Sequence, residues 1–133
     1  MKQIKSKERV KKFAEVFTAE REVKAMCDLV NDCCNDIKAT FLEPTCGNGN
    51  FLVEIIRRKL ANCKSENDII TAFNSIYGID ILEDNVRECR RRLWKIASTH
   101  TLNAHTRFEV AKILANNIIC GNSLEIMKNM EVN

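Results

Sequence analysis

The sequence predicts an α/β fold, a small parallel sheet flanked by helices, and three observations support it. Short apolar runs that read as buried strands alternate with longer segments whose apolar residues recur at three and four. Strands separated by helical segments need right-handed crossovers, which place the strands parallel in one sheet. Only one proline and four glycines punctuate the 133 residues, so nothing resembles a linker, a repeat or a low-complexity tract. A chain of this length makes one domain and can bury roughly 68% of its unfolded surface.

The elements follow in order. Residues 1–16 read as a basic, weakly amphipathic helix. Thr18 is a good N-cap for a second helix, with Glu20 and Glu22 in the first turn, where negative charge suits the helix dipole. Val23, Met26 and Val30 mark the apolar face of that helix, and Asn35-Asp36 ends it. Ala39 to Glu43 is the first strand, 44–50 a turn, and 51–61 a helix with Leu52, Ile55, Ile56 and Leu60 inward. Ser65 with Asp68 forms a capping box for a short helix carrying Ile69, Ile70 and Phe73. Ser75 to Asp80 is the second strand. Residues 83–97 form a helix packed through Val86, Cys89, Leu93 and Ile96. A polar stretch from Ser98 to Thr106 precedes a short helix through Phe108, Ile113 and Leu114, and Ile118 to Cys120 is the third strand.

Composition narrows the function classes. With 45% hydrophobic and 29% charged residues the chain reads as an ordinary globular protein. It holds no run of 18 apolar residues and no secretory signal, so no membrane association and a cytoplasmic location are expected. Seven cysteines never fall in a Cys-x-x-Cys pair, and His100 and His105 do not complete a zinc set. They read as reduced, small core hydrophobes, and no metal site is expected. A net charge of +3 does not by itself imply a nucleic-acid partner. Its distribution is uneven: Arg87, Arg90, Arg91, Arg92 and Lys95 crowd one helix, where a solvated face is expected, with phosphate contact as the alternative.

The strongest motif runs from Phe41 to Leu52, FLEPTCGNGNFL. A strand ends at Glu43, Gly47 and Gly49 let the backbone approach a ligand closely, and the following helix offers free amides to an anion. Taken alone, Gly-x-Gly also serves tight turns for purely steric reasons. The dinucleotide fingerprint wants a third glycine where Leu52 stands, which argues against NAD or FAD. An acid at the strand end beside a proline suits an ammonium-bearing ligand better than a diphosphate. Asp80, in Tyr77-Gly78-Ile79-Asp80-Ile81, ends the next strand, where an acid can take both hydroxyls of a ribose. The alternative is that it merely caps the next helix. Asn122, in Gly121-Asn122-Ser123-Leu124, closes the third strand and is suited to hydrogen-bond an adenine edge, or is simply a turn residue.

Together these pieces resemble the adenine-N6 DNA methyltransferases of restriction–modification systems, above all type I modification subunits and fused restriction–methylation enzymes. Phe17-Thr18 is similar to the family's F-T-P motif, with Ala19 in place of proline; residues 42–52 resemble L-E-P-x-x-G-x-G-x-F-L; residues 77–81 resemble Y-G-I-D-I; and 121–124 resemble G-D-S-L, with Asn122 for the usual acid. The resemblance covers the chain from Lys11 onward. It implies a Rossmann-like S-adenosylmethionine-dependent methyltransferase fold, truncated to a three-stranded parallel half-sheet, with N-terminal helices over 1–36 and a βαβαβ core over 37–133. It implies S-adenosyl-L-methionine as cofactor, held by Phe17, Thr18, Glu43, Pro44, Thr45, Gly47, Gly49, Asn50, Phe51, Asp80, Ile81, Asn122 and Leu124. The family's catalytic [D/N/S]-P-P-[Y/F] motif has no counterpart, because Pro44 is the only proline. No catalytic residue is therefore assigned. The expectation is a chain inactive alone, reaching DNA through a separate half, and either joined by a partner that supplies strand four or self-associating. The alternative is a non-catalytic S-adenosylmethionine-binding or protein-interaction module that keeps the fold.

Overall fold

The computed structural model describes residues 21–132. The helix expected over 1–16 and the Thr18 cap lie outside the described residues. Residues 21–29 are helical (α1), and α2 (Asn31–Asn35) follows after a turn at Val30. Then come β1 (Phe41–Glu43), α3 (Asn50–Leu60), α4 (Glu66–Asn74), β2 (Ile76–Asp80), α5 (Glu83–His100), α6 (Ala104–Asn117), β3 (Ile118–Cys120) and α7 (Ser123–Val132). The three strands form one parallel sheet in the order β1-β2-β3, as the alternating pattern predicts. Phe41 pairs with Ile76 and Glu43 with Gly78; Gly78 pairs with Ile118 and Asp80 with Cys120. Among the described residues β1 is an edge, paired on one side only.

Strand alternation puts Ile76, Gly78 and Ile118 on one face. That face packs on α3 and α5: a Cβ on Gly78 would lie 2.9 Å from both Leu52 Cδ1 and Cys46 Cβ. Leu52, Ile55, Ile56 and Leu60 are buried as their spacing predicts, and so are Val86, Cys89 and Leu93. The opposite face carries Leu42 and Tyr77, adjacent across the β1–β2 pair and 38% and 36% exposed. At the Ser65 cap, Oγ accepts from Asp68 N at 3.1 Å, while Lys64 N, rather than the cap's own amide, donates back to Asp68 Oδ2 at 2.9 Å.

Several expectations need correction. In α1 the inward residues are Val23 and Cys27; Met26 and Val30 are exposed, because the helix docks on its neighbours along the 23/27 line. The first strand is shorter than Ala39 to Glu43. The polar stretch from Ser98 to Thr106 is mostly helical: α5 continues to His100, and α6 starts at Ala104, capped by Asn103 Oδ1, which accepts from Thr106 N at 3.0 Å. In α6 Phe108 faces outward, and Thr106, Val110, Leu114 and Asn117 face in. The basic helix is not uniformly solvated. Arg87, Arg91 and Lys95 are exposed, but half-buried Arg90 donates to Ile118 O from Nε at 2.8 Å. Arg92 is likewise half-buried. Arg90 meets the carbonyls of Ala115 and Ile118, and Arg92 meets Asn48 O and the side-chain oxygen of Asn50, acceptors that engage their donors away from water.

Cys27, Cys34, Cys46 and Cys89 are buried, as expected of small hydrophobes, whereas Cys33 and Cys120 are exposed. All seven are free thiols. No cluster of metal-ligating side chains occurs among the described residues, and none of their helices is long and apolar enough to cross a membrane.

Candidate functional site

The carboxyl ends of the three strands bring the sequence motifs together, as parallel sheets do for their ligands. After β1, Glu43 Oε1 accepts from Thr45 N at 3.3 Å and from Thr45 Oγ1 at 3.4 Å, folding the acid back over Pro44. Cys46 N then donates to Ile79 O at 2.8 Å, which ties the loop to β2, and Gly49 N closes the turn on Cys46 O at 2.9 Å. Gly47 (φ +55°) and Gly49 (φ +97°) occupy the left-handed region, which favours glycine. A Cβ on Gly49 would also lie 2.8 Å from Cys89 Sγ. On Gly47 it would meet nothing within 4 Å, so the space before that residue is open to a ligand. Gly49 is the N-cap of α3 and no side chain caps that helix, leaving its first amides for an anion.

Asp80 is the hub of the site. Its Oδ2 accepts from Gly47 N at 3.0 Å; its Oδ1 accepts from Leu82 N at 2.9 Å and Asn85 Nδ2 at 3.2 Å. The carboxylate thus holds the glycine loop and also shapes the turn into α5. The residue is only 7% exposed. A carboxylate offers about four acceptor positions, so one remains on Oδ2 for a ligand hydroxyl.

Next to it, Gly121 N donates to Asp80 O at 3.0 Å, which brings the third motif alongside. Asn122 Oδ1 accepts from Leu124 N at 3.0 Å and Glu125 N at 3.3 Å, capping α7. Its oxygen is therefore engaged, and the amide Nδ2 is the group left to donate. Ile81 and Leu124 stand at the same edge, 67% and 79% exposed, two large apolar side chains beside two polar groups. Phe51 is half-buried against the core, and Leu52, where a dinucleotide site would have glycine, is fully buried against β2. Phe17 and Thr18 lie outside the described residues.

Two neighbours of the loop carry no signal in a local motif. Asn50 Oδ1 accepts from Arg92 Nη1 at 2.6 Å, and the same nitrogen donates to Asn48 O at 3.1 Å. The Cys46 thiol lies against Cys89, and that contact together with burial pushes its pKa well above the ordinary thiol range. Both cysteines are buried and pack the loop.

The chain is similar to the Type II methyltransferase M.VspI of Vibrio sp. (strain 343), with 31% identity over 93 residues. The match covers 69% of this chain and 20% of that protein, so the chain spans about a fifth of the relative's length. This similarity supports a distant methyltransferase relationship, with which a mixed α/β fold around a three-stranded parallel sheet is consistent. No family model and no solved structure matches.

Proposed function

We propose that this chain is the S-adenosyl-L-methionine-binding portion of a DNA adenine-N6 methyltransferase of the restriction–modification type. The observation that carries the reading is the convergence of Gly47, Asp80 and Asn122 at adjoining strand ends, with open space at Gly47. The distant methyltransferase relationship supports it. The residues suit the parts of that cofactor. The uncapped α3 amides suit a carboxylate, and Glu43 suits an ammonium. The remaining acceptor position on Asp80 Oδ2 takes one ribose hydroxyl, and a second requires Asn85 to give way. With Oδ1 engaged in the cap, Asn122 Nδ2 recognises an acceptor nitrogen of adenine, and Ile81 and Leu124 offer apolar contact to the ring. Bound there, the cofactor would supply an electrophilic methyl group. This chain's residues bind and orient it.

The receiving adenine needs groups that these 133 residues lack. Pro44 is the only proline, so the sequence holds no Pro-Pro motif to grip an amino group. We place base capture, DNA contact and a partner strand for β1 in a separate part or chain. Calorimetry of the chain with S-adenosylhomocysteine tests the proposal: a saturable heat is expected, with none for NAD. Well-folded protein that gives no heat with either sinks it.

A further inference from the structure

The geometry points to Arg92 as a positioning residue that fixes the glycine loop for the amino-acid end of the cofactor. This inference rests on the S-adenosylmethionine reading above. Arg92 stands on α5, one turn after Cys89, and reaches the loop at Asn48 and Asn50, whereas Asp80 holds it at Gly47. Its Nη1 donates to Asn48 O at 3.1 Å and to Asn50 Oδ1 at 2.6 Å. Asn48 lies between the two left-handed glycines, where the backbone has most freedom. One guanidinium thus fixes the peptide between Gly47 and Gly49 and the first residue of α3. Cys89 Sγ fills the place a Gly49 side chain would need, so α5 presses on the loop at two successive points.

Two features separate this contact from ordinary packing. Arg92 is half-buried, yet no carboxylate pairs with it among the described residues; Glu88, one turn earlier, binds Arg91 at 2.6 Å. Burial draws its pKa below the usual guanidinium value, against the opposing pull of Cys89 and Glu88. A half-buried cation without a salt-bridge partner, held against the loop, adds to the positive end of α3, so both favour an anion there. The methionine carboxylate is the one anionic group of this cofactor. Arg92 therefore acts through the loop on that end and not on the nucleoside, which Asp80 and Asn122 face.

The test compares S-adenosylhomocysteine with 5′-methylthioadenosine, which lacks the amino-acid end, by calorimetry on the whole chain. Arg92→Ala is expected to weaken the first at least tenfold and the second less than threefold. A role in stability alone would weaken both equally, and equal losses overturn the inference. Arg92→Gln carries the same expectation should the alanine variant fail to fold. Glycine-selective nitrogen labelling gives a second readout, since the chain has four glycines. The Gly47 and Gly49 amide signals should move in either variant while Gly121, held by Asp80 O, stays in place. Unmoved loop signals refute the clamp whatever the ligands do. Wild-type protein that binds neither ligand removes the cofactor reading instead, and the loop signals still decide whether Arg92 fixes the loop.

Discussion

Asp80 is the side chain whose loss separates the two functions of the site. Asp80→Ala removes the acceptor of three donors at once, Gly47 N, Leu82 N and Asn85 Nδ2. A buried donor left without a partner costs about 1–3 kcal/mol. Asn85 is half-buried and water reaches part of this edge, so we expect a total loss of about 2–4 kcal/mol in urea unfolding. That is a large share of the roughly 5–15 kcal/mol that holds a domain together. Asp80→Asn keeps the shape and one acceptor, and should cost less than half as much. S-adenosylhomocysteine affinity, measured where each variant is folded, should fall about tenfold to a hundredfold in Asp80→Ala, or about 1.4–2.8 kcal/mol. If Asp80→Ala unfolds within about 0.5 kcal/mol of wild type, the hub role is wrong. Unchanged affinity in a folded variant removes the ribose role alone.

The purified chain should transfer no labelled methyl group to unmethylated DNA, and incorporation abolished by Gly47→Trp would show that it needs no separate half. Replacing Arg87 and Arg91 with Gln should change stability by well under about 1 kcal/mol, since Arg91 loses only an exposed pair with Glu88; a large loss of salt-sensitive DNA binding would instead mark this face as a phosphate contact. Alkaline pH should destabilise the fold. Burial pushes the Cys27 thiol up to about 12 and the Cys63 thiol to about 11, from 9.0 in an open chain. The unfolded chain then releases protons that the folded chain keeps, so stability present below pH 9 is lost as pH rises toward 12, at up to about 1.4 kcal/mol per unit for each thiol. Lys59, whose pKa burial lowers from 10.5, opposes this only below that value, so the melting temperature should still fall above pH 9, and less steeply in Cys27→Val. A melting temperature flat to pH 11 would contradict the buried thiols.

The convergence of Glu43, Gly47, Asp80 and Asn122 was legible because parallel strands present their carboxyl ends along one edge, so three strand-end motifs must be neighbours. What each polar atom binds was not. Asp80 was read as a ligand for ribose or a helix cap, and nothing local revealed that Gly47, 33 positions earlier, donates to it. The length of α6 escaped notice because two of its inward residues, Thr106 and Asn117, are polar. Asn117 Nδ2 donates to Asn74 O and Ile76 O, each at 3.2 Å, partners supplied only by the fold. Arg90 and Arg92 misled for the same reason: a run of arginines looks solvated until carbonyls from β3 and the glycine loop arrive beside it.

One helix joins both ends of this arrangement. α3 begins at the glycine loop, and its last turns hold the N-terminal helices: Arg58 reaches Asp28 at 2.8 Å, Asn31 at 3.1 Å and Lys24 O at 3.3 Å. Beside it the fully buried Lys59 ammonium donates to Asp36 O at 2.8 Å and to Ala39 O, and lies 5.3 Å from the Phe41 ring centre. Eleven residues at 1.5 Å each make α3 a rod about 16 Å long. Its two ends are therefore tied to different parts of the chain, the first to the glycine loop and the last to residues 24–39 through Arg58 and Lys59.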